Sequence, residues 1–379
     1  MAFMAPSTKP RPRPASPSRP VLTIYGDVRR RTQASSYSAA LAYVDDCIEA
    51  PSGIFHALNE WSAAPPAGVR AWLGMALARS WRLWPESWCQ SRARARANIE
   101  FHYDHDPAFY RQFLDERLVY SCAYFERPEM TLDEAQLAKL DHICRKLDLQ
   151  PRERFLDIGC GFGSLVIRAA ERYGAVAAGC TLSRQQFETA LRTISGRRLE
   201  SAASVELADY RSLEGRFDKI ASVGMVEHVG VHRLRRYFAK IYSMLAPEGL
   251  FLNHGITRPE SVKPGAEWLF LRRRVFPGGE LPHLSELIRA AGDVGFEVLD
   301  VENLRLHYAR TCRAWVERLE SHEAECRKVV SGPVYRTWVL FLAASALNFE
   351  TGQTDVHQVL LAKRSSPHAG RWTRAYLYT

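Results

Sequence analysis

The stretch Phe155-Leu-Asp-Ile-Gly-Cys-Gly-Phe-Gly-Ser164 decides the fold that we expect for this chain of 379 residues. The stretch begins as a short apolar segment that predicts a β-strand, and a turn with glycines at 159, 161 and 163 follows it. Beyond the turn, apolar residues recur at helical spacing, at Leu165, Val166, Ala169 and Ala170. Because glycine accepts backbone angles that other residues avoid, such a turn lets a ligand approach the main chain closely.

The spacing of these glycines bears on the kind of ligand. A dinucleotide-binding turn would carry a sixth-position glycine where this chain has Ser164. The shorter spacing, with Asp157 just before the turn, suits S-adenosylmethionine (SAM), which has no pyrophosphate to cradle. An ordinary strand-to-helix turn without a ligand remains the alternative at this point.

Composition narrows the class of protein. Hydrophobic residues make up 46 % and charged residues 25 % of the chain, as in globular proteins, and no apolar run approaches the ~18 residues of a membrane span. The net charge of +9 favours an acidic partner. Since no aromatic and basic array of the nucleic-acid type accompanies it, we expect no nucleic acid, and we place a peripheral membrane surface first. The eight scattered cysteines argue against zinc and disulfides, and we therefore expect no metal and a cytoplasmic location.

The chain divides into three parts by composition. Residues 1–20 are a basic, Pro-rich tail that we expect to be disordered, with a transit-type leader as the alternative. Residues 21–98 form a helical N-terminal segment, and residues 99–379 form the main domain. In the second part, four apolar residues recur at helical spacing and either lie in a membrane interface or pack on the main domain: Leu73, Leu77, Trp81 and Trp84.

The main domain alternates between strand and helix patterns. We predict strands at 154–157, 176–180, 204–207, 217–222, 249–253, 296–301 and 356–362, separated by helices at 164–173, 183–195, 231–244 and 284–291. This alternation predicts an α/β fold with a doubly wound, mostly parallel sheet. Ligands of such sheets bind outside the carboxyl ends of the strands. One pocket should therefore be lined by the loops 158–163, 181–186, 208–211, 223–230 and 254–258. Two inserts, 257–283 and 303–350, should cap it, the second with helices at 308–321 and 332–349.

Several segments together resemble the cyclopropane-fatty-acid synthase family, which includes the mycolic acid cyclopropane synthases. They are His102-Tyr-Asp104 with Phe109-Tyr110, Tyr120-Ser-Cys-Ala-Tyr-Phe125, Leu132–Lys139, Leu156–Gly163, Thr181-Leu-Ser183, Gly224-Met-Val-Glu-His-Val-Gly230 and His254-Gly-Ile256. The resemblance covers residues 99–379 and implies a class I SAM-dependent methyltransferase fold with helical lid inserts.

The resemblance also implies a set of cofactor-binding residues. Asp157 and the glycines at 159, 161 and 163 should hold the methionine and ribose end of SAM. No acid follows the second strand, and the matching positions there are Thr181, Leu182 and Gln186. After the third strand, Asp209 and Tyr210 should meet the adenine. Tyr120 and Ser121 match residues that close over SAM. Ser183 reads equally well as a helix N-cap, and both readings can hold together.

The activity that the resemblance implies is alkylation of the cis double bond of an unsaturated acyl chain, most simply on a phospholipid, to give a cyclopropane. Attack by an alkene leaves a carbocation, which needs π-faces or dipoles beside it and a base to take a proton. In this family the base is a bound bicarbonate, whose cradle here would be Cys122, Glu227, His254, the backbone N–H of Ile256, and Tyr308.

Other functions remain open at this stage. A methyl-branching enzyme of the same family would lose the proton elsewhere, and a small-molecule N-methyltransferase would share the core. A silent lipid-binding module is a rival of another class, against which Asp157, Glu227 and His254 argue. Taken alone, His254 is equally a core histidine and Cys122 a small buried hydrophobe. A homodimer is left open.

Overall fold

A computed structural model of the chain describes residues 36–63, 106–262, 274–276, 279–366 and 372–377. The predicted tail of residues 1–20, the apolar stripe between 73 and 84, and both predicted domain boundaries lie outside these ranges, so they stay predictions. Within the predicted helical N-terminal segment, two helices are described, α1 (Ser36–Val44) and α2 (Ile54–Ala63).

The centre of the main domain is a seven-stranded sheet. Its strands are β1 (Arg154–Ile158), β2 (Val176–Thr181), β3 (Ala203–Leu207), β4 (Phe217–Val223), β5 (Leu245–Thr257), β6 (Phe296–Asn303) and β7 (Asp355–Lys363). They lie in the order β3-β2-β1-β4-β5-β7-β6. The first five are mutually parallel, whereas β7 runs antiparallel between β5 and β6. The predicted doubly wound, mostly parallel sheet of a class I SAM methyltransferase fold is therefore confirmed.

The described helices of the main domain are α3 (Pro107–Tyr110), α4 (Leu132–Lys146), α5 (Ser164–Tyr173), α6 (Arg184–Gly196), α7 (Leu234–Met244), α8 (Leu284–Gly292), α9 (Arg305–Ser321), α10 (Glu323–Val329) and α11 (Gly332–Thr351). Local chemistry fixes several of their ends. Thr131 and Glu134 form a capping box at α4, and the Ser183 hydroxyl accepts the N–H of Gln186 at the start of α6.

One predicted boundary is wrong in a way that matters for the site. The sequence predicts a loop at residues 254–257, but they belong to β5, which continues to Thr257. The antiparallel strand β7 causes this extension, because it pairs with β5 from Leu250 to Thr257 and satisfies the backbone groups there. His254 and Ile256 are thus held in a regular strand, opposite Gln358 and Val356.

Buried apolar side chains form three clusters. One lies between the sheet and α4, α5 and α6, and a second lies on the other face with α7 and α8. The third joins α1, α2, α3, α9 and α11. Since β6 leads into α9 and α11 leads back into β7, these helices stand over the carboxyl edge of the sheet. The second predicted insert is therefore a helical lid over that edge.

Candidate cofactor pocket and active site

The glycine turn after β1 is shaped for close approach. Gly159, Gly161 and Gly163 all have positive φ angles, of 76°, 55° and 83°, which side-chain-bearing residues rarely adopt. The N–H groups of Gly159 and Cys160 both donate to the carbonyl of Cys180, at 3.0 and 2.9 Å. These bonds fix the turn against the end of β2.

A cavity of about 270 Å³ opens beside this turn. Every predicted cofactor-binding residue except Gly163 lines it, namely Tyr120, Ser121, Asp157, Gly159, Gly161, Thr181, Leu182, Gln186, Asp209 and Tyr210. Gly163 instead caps α5, where an added Cβ would lie 3.0 Å from the Cβ of Ala190. The carboxyl ends of β1, β2, β3 and β4 thus converge on one pocket, as the strand order requires.

Asp157 is the charged group at the floor of the cavity. Its side chain is 3 % exposed, and its Oδ1 atom has no hydrogen-bond partner among the described residues. Burial raises the pKa of this carboxyl to about 7, while the positive charge of Lys139 opposes the shift. A buried carboxylate without a partner costs free energy, so this position suits a ligand that brings a hydrogen-bond donor or a cation.

The wall formed by β2, β3 and α6 carries polar groups at set positions. Thr181 Oγ1 donates to Gln186 Oε1 at 2.7 Å, so the two side chains form a unit at the end of β2. Asp209 accepts bonds from Arg211 Nε at 2.8 Å and Nη2 at 2.5 Å. Its predicted contact with adenine would therefore use an acid that Arg211 already orients.

Two residues outside the predicted cofactor-binding set also line the cavity. Lys139, on α4, is 2 % exposed and donates to Ser121 Oγ at 3.0 Å. His228 follows Glu227, and burial lowers the pKa of its imidazole to about 4. The sequence offers one indication of Lys139: it ends the resembling segment 132–139 and lies three residues after Gln136, on the same face of the helix.

Glu227 lies in a 3₁₀ turn after β4, between cavity-lining Met225 and His228. Its Oε1 accepts the backbone N–H of Ile256 at 2.7 Å, and its buried Oε2 has no partner in the described part of the chain. Burial raises the pKa of this carboxyl to about 7, which the Ile256 bond partly offsets. The backbone N–H of Ile256, which the resemblance assigns to the bound anion, thus donates to Glu227. To bind an anion as well, it would have to share this hydrogen bond.

Gly255 makes this contact between the turn and β5 sterically possible. A Cβ built there would lie 2.3 Å from Val226 Cγ1, far inside van der Waals contact. The glycine therefore allows the turn that carries Glu227 to sit directly on the strand.

His254 lies on β5 and is 2 % exposed. Its Nδ1 is 3.1 Å from Gln358 Nε2, on the neighbouring strand β7. Since an amide nitrogen only donates, Nδ1 accepts and the ring proton resides on Nε2. That Nε2 is buried with no partner among the described residues. Burial and the nearby Lys139 lower the pKa of the imidazole to about 3, so His254 is neutral and presents an N–H donor.

Cys122 and Tyr308 join this group through the backbone of Leu304. The Sγ of Cys122 lies 3.7 Å from the Leu304 carbonyl, which also accepts the N–H of Tyr308. The N–H of Leu304 donates to Val356, the residue paired with Ile256 across the sheet. Cys122, Ile256 and Tyr308 also share the third apolar cluster. Burial raises the pKa of the Cys122 thiol well above its usual range, so it is a neutral thiol.

The five predicted catalytic residues do not line the 270 Å³ cavity itself. Three of them, Cys122, Ile256 and Tyr308, belong to an aromatic, apolar cluster that borders it. Tyr120 belongs to both regions, with its ring 5.3 Å from Trp315 and 5.6 Å from Trp338 between centroids. Tyr110 lies 5.6 Å from Phe162, another cavity residue. A polar pocket and an aromatic, apolar region therefore meet at Tyr120 and Phe162.

Comparison with known proteins gives a consistent result. The family model for mycolic acid cyclopropane synthetase matches residues 90–359. The chain is 43 % identical over 290 residues to a "probable fatty acid methyltransferase" of Pseudomonas putida, covering 74 % of this chain and 73 % of that protein. It is 36 % identical over 277 residues to the cyclopropane mycolic acid synthase MmaA2 of Mycobacterium tuberculosis, covering 70 % and 96 %.

Solved structures agree with these relatives. The structure of the same MmaA2 superimposes with a TM-score of 0.68 at 35 % identity, over 71 % of this chain and 98 % of that one. The crystal structure of mycolic acid cyclopropane synthase CmaA1 complexed with SAH and CTAB has the same score, identity and coverage. Of the helices that the structure describes here, none has the length and apolar character to cross a bilayer.

Proposed function

This chain belongs to the mycolic acid cyclopropane synthetase family of SAM-dependent methyltransferases, and from that premise we propose that it alkylates the cis double bond of an unsaturated phospholipid acyl chain to form a cyclopropane. The enzyme transfers a methyl group. The names of its relatives, a fatty acid methyltransferase and a cyclopropane mycolic acid synthase, support a lipid substrate. The acyl chain of a phospholipid and the ring product are our proposal.

Two features of the cavity suit SAM: the buried carboxyl of Asp157, and the glycine turn after β1, which a ligand can approach closely. When bound, SAM supplies an electrophilic methyl group on a sulfonium. Asp157, buried with an unpartnered oxygen, would face its amino-acid end, and the Thr181–Gln186 unit would face the ribose. Tyr120 and Ser121, which line the cavity, would close over the bound cofactor.

The aromatic cluster supports an acyl substrate that becomes cationic. As the alkene π-electrons form a bond to the methyl carbon, the S–C electrons remain on sulfur and the other alkene carbon becomes positive. The ring faces around Tyr120, Trp315 and Trp338 would stabilise this charge by cation–π attraction, and they exclude water that would trap it. Loss of a proton from the transferred methyl then closes the ring with its C–H electrons.

The group around Glu227 would handle that proton. Glu227 Oε2 is an acceptor and His254 Nε2–H a donor, both buried and both without a partner among the described residues. A small anion with one O–H would donate to Glu227 and accept from His254, and Tyr308 and Cys122 would complete its surroundings. A bicarbonate held there would supply the base. Glu227, with a pKa raised to about 7, can hold a proton on Oε2 near neutral pH.

The proposal is carried by two buried polar atoms without a partner among the described residues, Glu227 Oε2 and His254 Nε2, together with the aromatic, apolar region that borders the cofactor cavity at Tyr120 and Phe162. We would incubate the purified protein with SAM carrying a CD₃ methyl and with vesicles of dioleoyl phosphatidylglycerol. Mass spectrometry of the released acyl chains should show an added methylene carbon that retains two deuterium atoms, because the third leaves as the ring closes.

The same experiment separates the rival products. Three retained deuterium atoms would show that the proton leaves from the acyl chain, which is methyl branching. Unaltered lipid together with a deuterated small amine in a cell extract would favour N-methylation and overturn the proposal. Vesicles of dipalmitoyl phosphatidylglycerol, which lack the double bond, are the matched control.

We also propose peripheral contact with anionic membrane, on the basis of the net charge of +9. The fraction of protein that sediments with phosphatidylglycerol vesicles should fall as the salt concentration rises, because salt screens the attraction between opposite charges. Binding that ignores salt would contradict it. Whether the protein forms a homodimer can be tested by measuring its mass in solution with light scattering.

A further inference from the structure

Lys139 is a buried ammonium whose hydrogen-bonding capacity is mostly unused. It projects from α4, is 2 % exposed and lines the cofactor cavity. A lysine ammonium has three donors. Within the described ranges its Nζ makes one hydrogen bond, to Ser121 Oγ at 3.0 Å. Two donors are therefore left for something in the cavity.

Asp157 presents the complementary situation in the same cavity. It is buried, and its Oδ1 has no partner in the described part of the chain. The two residues interact through charge, since each shifts the pKa of the other, yet the described structure contains no ion pair between them. A buried cation and a buried anion that do not pair are costly, unless a ligand with both charges lies between them.

We propose that Lys139 binds the carboxylate of the cofactor's amino-acid tail, while Asp157 faces the ammonium group of that tail. This inference rests on the proposed function only in taking SAM as the cofactor. Because Ser121 Oγ accepts from Lys139, the hydroxyl's own hydrogen points elsewhere and can donate to the same carboxylate. The tail is the part of SAM that carries both charges, and it matches the two groups in sign.

The surroundings hold Lys139 and Ser121 in fixed relation. Gln136, on the same face of α4, donates from Nε2 to the carbonyls of Ser121 at 2.9 Å and Val119 at 3.3 Å. Asp115 accepts the N–H of Val119 at 2.7 Å. A site whose groups are already positioned binds its ligand without an ordering cost.

The titratable groups around Lys139 come from several elements: Asp115 before the segment 119–121, Asp157 on β1, and the neutral side chains of Cys122, Cys144 on α4 and His254 on β5. Burial lowers the pKa of Lys139 to about 8, while the two aspartates raise it. Lys139 is therefore mostly protonated at neutral pH, and it loses its proton as the pH rises by one or two units above that.

The test uses the whole protein and two ligands that differ by one group: SAH, and S-adenosyl-3-thiopropylamine, which is SAH without its carboxylate. Isothermal titration should show that Lys139→Met weakens SAH about ten- to a hundredfold, the loss of a charge-assisted bond. Affinity for the amine should change less than about threefold, because Lys139 has no carboxylate to bind there. Lys219→Met is the matched control, since it also removes a buried lysine, on β4 beside Glu153. The Lys219→Met variant should bind both SAH and the amine with the affinities of the wild type.

Equal weakening of both ligands by Lys139→Met would mean that the lysine only supports the fold, and an unaltered SAH affinity would also overturn the proposal. Lys139→Gln, a second variant, should again weaken SAH selectively. In the wild type, the ratio of SAH affinity to amine affinity should fall between pH 7 and 9 as Lys139 loses its proton, and a constant ratio would contradict the assignment. No lipid turnover enters these readouts. A wild type that binds no SAH would instead refute the cofactor itself.

Discussion

Replacing Gly255 by alanine tests whether the catalytic geometry depends on a single close approach. The added Cβ would lie 2.3 Å from Val226 Cγ1, whereas non-bonded carbons prefer separations of about 3.5–4.0 Å. The turn that carries Glu227 must therefore move by roughly 1 Å or more, since the strand is held on both sides by β4 and β7. The 2.7 Å bond between Glu227 and the Ile256 N–H would then lengthen or break.

The expected magnitudes follow from that displacement. A misplacement of about 1 Å at a reacting group can lower turnover by ~10²-fold. Overpacking of this kind costs about 1–3 kcal/mol of folding free energy. SAH affinity should fall much less than turnover, since the moving turn contributes Met225 and His228 to the cavity wall, while Asp157 and the glycine turn lie on other elements.

The assay is turnover of labelled SAM on unsaturated vesicles, together with SAH titration and thermal unfolding. Gly249→Ala is the matched control, because its Cβ would also clash, at 2.7 Å from Leu245 Cδ1 and 2.8 Å from the Asp218 carbonyl. It lies six residues away on the same strand, about 20 Å from Gly255. It should lose comparable stability and keep its turnover per folded molecule. Normal turnover in Gly255→Ala, or equal loss in both variants, would refute the reasoning.

Two further predictions concern the buried carboxyls. Glu227→Gln should lower turnover by ~10²–10⁴-fold with SAH affinity unchanged. Wild-type turnover should fall as the pH drops below about 7, because Glu227 becomes protonated there. A variant with normal turnover would remove Glu227 from the mechanism. Asp157→Asn should stabilise the ligand-free protein at pH 8 and weaken SAH. The pKa of Asp157 rises from 3.8 to about 7 on folding, so its ionisation destabilises the fold progressively as the pH rises from about 4 to 7. Unfolding temperatures measured from pH 4 to 8 should therefore diverge with rising pH, and parallel curves would contradict the burial argument.

The sequence was most informative where local patterns carry the structure. All seven strands follow from runs of apolar residues between turn signals, and the glycines of the turn after β1 follow from their spacing. The helix start at Ser183 follows from capping chemistry. The predicted end of β5 was wrong because its last residues are set by pairing with β7, which lies about a hundred residues further along the chain. No local pattern reports such a partner.

The candidate site divides in the same way. Motif spacing and family resemblance identified most residues around the cofactor cavity, because the carboxyl ends of neighbouring parallel strands must meet. The sequence could not show that Lys139 and Asp157 face one cavity without pairing, or that Gln358 sets the tautomer of His254. It also could not show that Gly255 admits the turn bearing Glu227.

The sequence by itself therefore determined the order of strands and helices and the chemical types gathered at the sheet's carboxyl edge, since these depend on neighbours a few residues apart. The tertiary structure alone decided which buried polar groups are satisfied and which are left for a ligand. That distinction depends on distances between atoms from α4, β1, β5 and β7, which only packing brings within reach of one another.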